Sequence, residues 1–375
     1  MKRFFLNTTL VLVSFLIAYG LMEFLFRLVM PHLPMTLFNN ECRELRTIGQ
    51  TSKRDNVPIG PYIAVIGDSY GAGQGDWFIE EGYNPNSRYQ ATHVLHDLTG
   101  RDVVSFSRAG AGNFDGAAIY AVNTWRYLNS AKFHFASPET VIVYFYEGND
   151  ISDNLQFLER HFKPSHDPVH LYDDDSFDLF AERMDATHCQ GNLPRLQDKF
   201  LVGNLVSRFI EGMFYAATRN RQIAPRGTKY EATISDETHQ LPDALESELT
   251  MFTQEQINDG CRLFDRALFR LAEVWPDARK FVVYIPSPLT TYALLDANRN
   301  ARMEVSRKVE KLVKRLSSQR GYTFIDFAQT VRDAARSQFL HGPRDWNHFN
   351  RAGYELLGST MAQALTGETA NPQQQ

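Results

Sequence analysis

The chain has little that would suggest a metal, redox or nucleic-acid protein. Its 375 residues include only three cysteines, Cys42, Cys189 and Cys261, and these fit no metal-ligand spacing. It contains neither a phosphate-binding loop nor a dinucleotide-binding glycine motif. Basic residues number 39 and acidic residues 44, a net charge of −5 that favours no polyanionic partner. We therefore expect no metal, no organic cofactor and no nucleic acid.

The few cysteines leave three disulfide pairings open in an oxidising compartment. Cys261 falls in a helical series with Ile257, Phe264 and Leu268, which is typical of a core-facing stripe. That position favours a buried, unpaired thiol. If a bridge forms, Cys42–Cys189 is then the pairing we expect.

Long apolar runs are also rare, and the one at the N-terminus stands out. Lys2 and Arg3 precede an uncharged stretch from Phe4 to Met22, about the length needed to cross a bilayer as a helix. Basic residues ahead of the span favour a cytoplasmic N-terminus and an exported remainder. We expect residues 1–30 to form an uncleaved single-pass anchor that meets the bacterial inner membrane through residues 4–30. The alternative is a signal peptide cleaved near Ala18–Gly20.

After a Pro-containing linker at 31–60, short apolar runs alternate with helical patterns, which predicts a parallel sheet in a three-layer α/β domain over 61–366. Most of the runs are continuously apolar, as in strands covered on both faces. The predicted strands are 62–67, 102–106, 140–146, 280–285 and 322–327, and the predicted helices are 87–99, 113–129, 253–275, 301–319 and 350–365.

Residues 151–250 interrupt this alternation and are too long for a structureless loop, so we expect a mainly helical insertion. Within it, 196–214 has helical apolar spacing, which favours packing on the body or over a site; docking on a membrane surface is the alternative. Three histidines within 161–178 are interpreted as part of a solvent-exposed loop rather than a metal site. The basic stretch 307–315 is interpreted as the solvent-exposed face of an amphipathic helix. The tail, 367–375, is predicted to be disordered.

Polar residues follow four separate strands, and parallel sheets bind ligands at the carboxyl ends of their strands. Ser69 lies in "IGDSYGAG" after the first strand, Gly110 and Gly112 lie in "SFSRAGAGN" after the second, and Asn149 lies in "EGND" after the third. Asp345 and His348 lie in "DWNHFN" after the last strand and a helix. Each motif alone is ordinary turn chemistry. Together they contain what acyl transfer through a serine requires.

The chemistry assigns a role to each residue type. His348 is the candidate base for the Ser69 hydroxyl, and Asp345, three residues earlier, is close enough to fix the imidazole tautomer. The oxyanion of the tetrahedral intermediate needs donors already in place. Candidate donors are the backbone N–H groups of Ser69 and Gly110 and the Asn149 amide, with Gly112 as the alternative to Gly110.

These motifs resemble the SGNH/GDSL hydrolase family. The matching positions are "GDSY" at 67–70, Gly110, "GND" at 148–150 and "DWNH" at 345–348. The resemblance implies the same roles for these residues and a flavodoxin-like sheet of about five parallel strands. It covers roughly 62–150 and 280–365. Tyr70 stands where leucine is common, and Ser105 stands where many members have asparagine.

The resemblance implies a serine esterase, and export to the cell envelope makes an O-acetylated glycan the expected substrate, with a lipid ester next. An O-acyltransferase using the same residues and a non-catalytic glycan-binding protein remain alternatives. "GDSYG" also fits the nucleophile elbow of α/β-hydrolases. In that fold, however, the acid and the histidine lie far apart in sequence and the serine follows a central strand late in the sheet.

Overall fold

The computed structural model describes residues 2–29, 60–81, 87–129, 135–161, 227–243 and 249–369, together with Leu245 and a few isolated positions between 175 and 210. Nearly all of the predicted linker and most of the insertion lie outside these residues. The part outside includes most of 196–214, and all of the histidine-containing stretch 161–178 except His161 and Asp175. Residues 370–375 of the tail also lie outside, whereas 367–369 are helical. Cys42 and Cys189 also lie outside them.

A five-stranded parallel sheet forms the centre of the protein, as predicted. Its strands are β1 (Ile63–Ile66), β2 (Val103–Ser105), β3 (Thr140–Tyr146), β6 (Arg279–Ile285) and β8 (Thr323–Ile325), in the order β2-β1-β3-β6-β8. The order is that of a flavodoxin-like fold, in which strands are added first on one side of β1 and then, from β3 onward, on the other. In such a sheet the loops after the first and third strands diverge, and ligands bind between them at the carboxyl edge.

Helices cover both faces of the sheet, which confirms the three-layer α/β architecture. β1 and β3 are buried along their whole length, as their continuous apolar sequences predict. One face packs on α3 (Ala91–Thr99), α9 (Phe327–Ala334), α10 (Arg351–Thr369) and two short helices, α2 (Asp76–Glu80) and α7 (Pro288–Thr291). The other packs on a π-helical segment (Phe114–Ala121) that continues into α4 (Val122–Leu128), and on α5 (Asp150–His161), α6 (Gln254–Val274) and α8 (Arg299–Gln319).

Helix α6 shows how local sequence sets these boundaries. Thr253 and Gln256 form a reciprocal capping box, in which each side chain accepts a backbone N–H of the other. The apolar stripe predicted along this helix faces the sheet, and Cys261 within it is buried and free, as predicted. Burial raises the pKa of the Cys261 thiol to about 12, so the group stays protonated.

The described end of the insertion contains a β-hairpin that the mainly helical prediction did not foresee. β4 (Thr228–Ile234) and β5 (Glu237–Pro242) pair antiparallel around a two-residue turn, Ser235–Asp236, with positive φ at both positions. β4 also pairs with β7 (Ala293–Leu294), which completes a second sheet of three strands. Alternating burial along β4 packs one of its faces against the α3/α9/α10 side of the core.

The N-terminal helix α1 (Lys2–Val29) is long and apolar enough to span a membrane over Arg3–Phe26. Almost all of its side chains are exposed. The exceptions lie near its C-terminal end, where Phe26 packs against the core and Glu23 accepts N–H groups of Val202 and Gly203. The helix therefore fits a single-pass anchor by length and composition.

Candidate active site

A tight turn after β1 presents Ser69. The Asp68 carboxylate accepts the N–H of Tyr70 at 2.9 Å, and the carbonyl oxygens of Asp68 and Ser69 accept the N–H groups of Ala72 and Gln74, each at 3.0 Å. These bonds close the turn on itself immediately beyond the strand. Gly71 is required within it, because an added Cβ would lie 2.0 Å from Ser107 Oγ. The turn is thus held both by its own bonds and by the β2 loop.

The loop that carries Asp345 and His348 is attached to the segment just beyond this turn. The buried Asp76 carboxylate accepts the backbone N–H groups of Arg344, at 2.9 Å, and of Asp345. Gly75, at φ +148°, approaches the carbonyl oxygen of Phe349 so closely that an added Cβ would lie 2.1 Å from it. Short-range contacts between these two segments therefore fix their separation.

Three side chains form a hydrogen-bonded series at the carboxyl edge of the sheet. His348 Nε2 lies 2.8 Å from Ser69 Oγ, a residue 279 positions away in sequence. His348 Nδ1 lies 2.7 Å from Asp345 Oδ2. A carboxylate can only accept from Nδ1–H, so the neutral imidazole presents a lone pair at Nε2 to the serine hydroxyl. In this arrangement the base touches the hydroxyl and the acid holds the tautomer.

Carboxyl groups on the serine turn and in the first turn of α5 have raised pKa values. Asp68 Oδ2 is 3.3 Å from Ser69 Oγ, farther than the imidazole. Burial raises the pKa of Asp68, against the opposing effects of the Tyr70 N–H and the His348 charge. Burial, and then the nearby Asp68, raise the pKa of Asp150 well above its usual range. Burial also raises the pKa of Asp153 to about 6. Asp345 is half-buried and lies closest to the imidazole.

The predicted oxyanion donors lie on the loops around this series. Gly110 has φ +71° and open space at its Cβ position, in the loop whose Arg108 N–H donates to the Gly67 carbonyl at 3.0 Å. Within the described part of the chain, neither the Ser69 N–H nor the Gly110 N–H donates to another protein group. The Asn149 amide stabilises the charged form of Asp68 and so lowers the pKa of that carboxyl against the effect of burial. An amide carries two donor hydrogens, so Asn149 can also donate to a ligand.

Gly112, the alternative to Gly110, has a packing explanation instead. An added Cβ at Gly112 would lie 2.6 Å from Asn154 Oδ1 and 2.9 Å from the backbone of α5. The glycine thus lets the β2 loop approach that helix. Gly110, which makes no such contact, is free of this structural requirement.

Sequence reasoning missed several polar groups that support these loops. Asp76 holds the Asp345 backbone, and the buried Glu147, two residues before Asn149, accepts hydroxyls from Tyr284 at 2.7 Å, Ser306 at 2.6 Å and Thr290 at 2.8 Å. Burial raises the pKa of Glu147. No motif marks these residues, because each owes its surroundings to distant segments. His341, discussed below, was missed for the same reason.

No protein-family profile matches the chain, and no curated protein matches it. Solved structures of ester-hydrolysing enzymes are similar at low identity. A lipase/acylhydrolase from Enterococcus faecalis has 14% identity and a TM-score of 0.36, over 82% of this chain and 97% of that one. An acetyl xylan esterase from Butyrivibrio proteoclasticus has 10% identity and a TM-score of 0.35, over 84% of this chain and 66% of that one. A phospholipase A1 from Streptomyces albidoflavus has 13% identity and a TM-score of 0.35, over 82% of this chain and 98% of that one.

Proposed function

We propose that this protein is a serine-dependent carboxylic ester hydrolase of the SGNH type. The observation that carries the proposal is the continuous series from the Ser69 hydroxyl through His348 to Asp345, with both hydrogen bonds below 3 Å. A protein that only binds a ligand has no need for a base in contact with a hydroxyl and an acid in contact with that base. The series lies at the crevice where this type of sheet binds ligands.

In the proposed reaction, Ser69 Oγ attacks the ester carbonyl carbon while His348 Nε2 takes the hydroxyl proton. Asp345 stabilises the imidazolium that forms. The tetrahedral intermediate collapses as the imidazolium gives its proton to the leaving alcohol oxygen, which leaves an acyl-serine. Water then attacks the acyl carbon, with His348 taking its proton and returning it to Ser69 Oγ, and the carboxylic acid departs.

Negative charge on the carbonyl oxygen during both attacks is stabilised by fixed donors. This role is assigned to the Ser69 and Gly110 N–H groups, which make no bond within the described structure, and to the Asn149 side-chain amide. Loss of one such donor typically costs roughly 3–4 kcal/mol of activation free energy. Two observations support Gly110 over Gly112: Arg108, two residues before Gly110, donates its N–H to the Gly67 carbonyl of the serine turn, and Gly112 already packs against α5.

The proposed substrate is an O-acetyl ester of a cell-envelope glycan. Helix α1 and the basic residues in its first turn support an anchor in the bacterial inner membrane with the catalytic domain in the periplasm. A hydrolase fixed there meets polysaccharides and glycans of the envelope. No step of the proposed reaction uses a metal or organic cofactor.

The test is ester hydrolysis by the full chain in detergent micelles, with p-nitrophenyl acetate, acetylated oligosaccharides, long-chain esters and phospholipids. We expect Ser69→Ala to abolish hydrolysis and Asp345→Asn to lower kcat by roughly 10⁴-fold, since an amide favours the wrong imidazole tautomer. Mass spectrometry of a quenched reaction should show an acetyl group on Ser69.

Asp333→Asn is the matched control, because Asp333 is an exposed aspartate whose bonds are to Gln329 and Arg336 on the surface of α9. Its kcat should stay within twofold of wild type. Equal turnover by wild type and Ser69→Ala would refute the serine mechanism. Preference for long-chain esters over acetylated oligosaccharides would refute the glycan substrate and leave the mechanism intact.

A further inference from the structure

The carbonyl oxygen of Asn347, the residue before the candidate base, is bound by two tyrosine hydroxyls. Tyr70 donates to it at 2.7 Å and Tyr146 at 3.3 Å. Tyr70 directly follows the candidate nucleophile, and Tyr146 ends β3. The two rings pack with centroids 4.3 Å apart, and Tyr70 also lies 5.3 Å from the His348 ring. One acceptor thus joins the serine turn, the central strand and the histidine loop.

Resting on the proposed function, we propose that Tyr70 and Tyr146 are positioning residues that hold the Asn347 carbonyl and thereby keep the adjacent imidazole against the serine. The Asp345–His348 bond joins residues of the same loop, so it cannot fix the distance between that loop and β1. The tyrosine bonds cross that gap in addition to the contacts of Asp76 and Gly75, and they bind the residue directly before His348. A displacement of about 1 Å between reacting groups can cost roughly 100-fold in rate, so such a restraint has a measurable effect.

The proton arrangement around the buried His341 orients the Tyr70 hydroxyl. The Tyr292 hydroxyl accepts the backbone N–H groups of Leu340 and His341, both at 3.0 Å. Both of its lone pairs are then used, so its own proton is donated to His341 Nδ1, also at 3.0 Å.

His341 therefore carries its proton on Nε2, which lies 3.3 Å from the Tyr70 oxygen and donates to it. The Tyr70 hydroxyl, acting as acceptor from His341, directs its proton to the Asn347 carbonyl. With these proton positions, each hydrogen bond from Tyr292 through His341 and Tyr70 to Asn347 pairs an N–H or O–H group with a lone pair. The series thus assigns His341 a positioning role through Tyr70, distinct from the role of the base His348.

The test compares Tyr70→Phe, Tyr146→Phe and the double variant in the full-length, detergent-solubilised protein. Phenylalanine keeps the packing and removes only the hydroxyl. Each single variant should lose about three- to fivefold in kcat and the double variant about 100-fold, with KM within twofold throughout. The double loss should exceed the product of the single losses, because either hydroxyl partly holds the carbonyl alone.

Tyr322→Phe is the matched control. Its buried hydroxyl also donates to a backbone carbonyl, that of Leu268 at 2.9 Å, but it precedes β8 at the opposite edge of the sheet. It should leave kcat within twofold. A double variant with wild-type kcat, or one whose KM rises as much as kcat falls, overturns the positioning role.

A second readout needs no turnover. In ¹⁵N NMR spectra of histidine-labelled protein, assigned with His341→Gln and His348→Gln, we expect Nε2 of His341 to be protonated and Nδ1 unprotonated. The Nε2 resonance of His348 should move in the double variant and stay in place in Tyr322→Phe. A protonated His341 Nδ1 overturns the orientation argument. An unchanged His348 resonance overturns the restraint, even if the wild-type chain hydrolyses no ester.

Discussion

At the scale of single residues, burial decides the protonation of the groups around the site. His341 is fully buried, and burial, followed by the neighbouring His348 charge, lowers its pKa to about 3. It therefore stays neutral where the unfolded chain, with an ordinary histidine pKa near 6.5, takes up a proton. The same burial raises the pKa of Asp68 and Glu147, so the buried acids have the opposite effect on stability.

This predicts a pH dependence of unfolding that one substitution isolates. Because the unfolded state binds more protons at His341, its contribution to stability is complete above about pH 6.5 and is lost progressively as pH falls toward about 3. In urea unfolding of the full chain between pH 7 and pH 4, the free energy of unfolding of wild type should fall more steeply than that of His341→Gln, by up to about 1.4 kcal/mol per pH unit.

The buried acids are present in both proteins, so the difference between the two slopes reports His341 alone. If the free energy of unfolding changed equally with pH in both proteins over this range, His341 would titrate in the folded protein as it does in the unfolded chain.

At the scale of elements, the site is held by loop-to-loop contacts rather than by the helices and strands themselves. The serine turn and the Asp345–His348 loop follow different strands, β1 and β8, which lie at separate positions in the sheet. The side-chain carboxylate of Asp76 accepts backbone N–H groups of the histidine loop, and Gly75 approaches the Phe349 carbonyl oxygen of that loop. A close backbone approach of this kind tolerates no added atom.

Gly75→Ala should therefore disrupt the site. The substitution meets both an unfavourable φ of +148° and the Phe349 carbonyl oxygen, so we expect a stability loss of about 1–3 kcal/mol and a fall in kcat. Thermal unfolding and kcat of the same preparation measure both effects.

Gly100→Ala is the control for the cost of placing alanine at a positive φ without a steric clash. Gly100 ends α3 at φ +68° with nothing within 4 Å of its Cβ position, so its variant should lose about 1 kcal/mol and keep its kcat. Equal kcat values for the two variants would show that the approach to Phe349 does not position the histidine loop.

At the scale of the whole molecule, one exposed apolar helix is joined to an α/β body whose described core is well packed. α1 runs without interruption through Ala18–Gly20, the segment of the alternative cleavage site. A helix that continues to Val29 provides a full bilayer span only if it is retained.

We therefore expect the intact mass of the protein extracted from membranes to include residues 1–30. Ala18→Leu, which would block a signal peptidase, should give the same chain length as wild type. A shorter wild type beside a full-length Ala18→Leu protein would instead identify a cleaved signal peptide.

Local patterns in the sequence were sufficient for the five strands of the sheet and most of its helices, but not for α9, which begins at Phe327 inside the predicted strand 322–327. The apolar runs at 140–146 and 280–285 are buried strands because a strand covered on both faces needs no polar residue. The helical stripe of α6 likewise predicted its core face and the free Cys261. Residues 113–129 are helical as predicted, although the first half is π-helical.

The sequence by itself determined which polar residues follow which strand, since strand ends are marked by nearby glycines and the end of an apolar run. Only the tertiary structure decided that His348 and Ser69 meet at 2.8 Å, and that Asp76, Tyr70 and His341 surround them. It also decided that a hairpin of the insertion pairs with β7. The physical reason is the sequence distance over which each interaction acts. Periodicity and turn chemistry depend on residues close together in sequence, whereas these contacts depend on how whole strands are ordered in space.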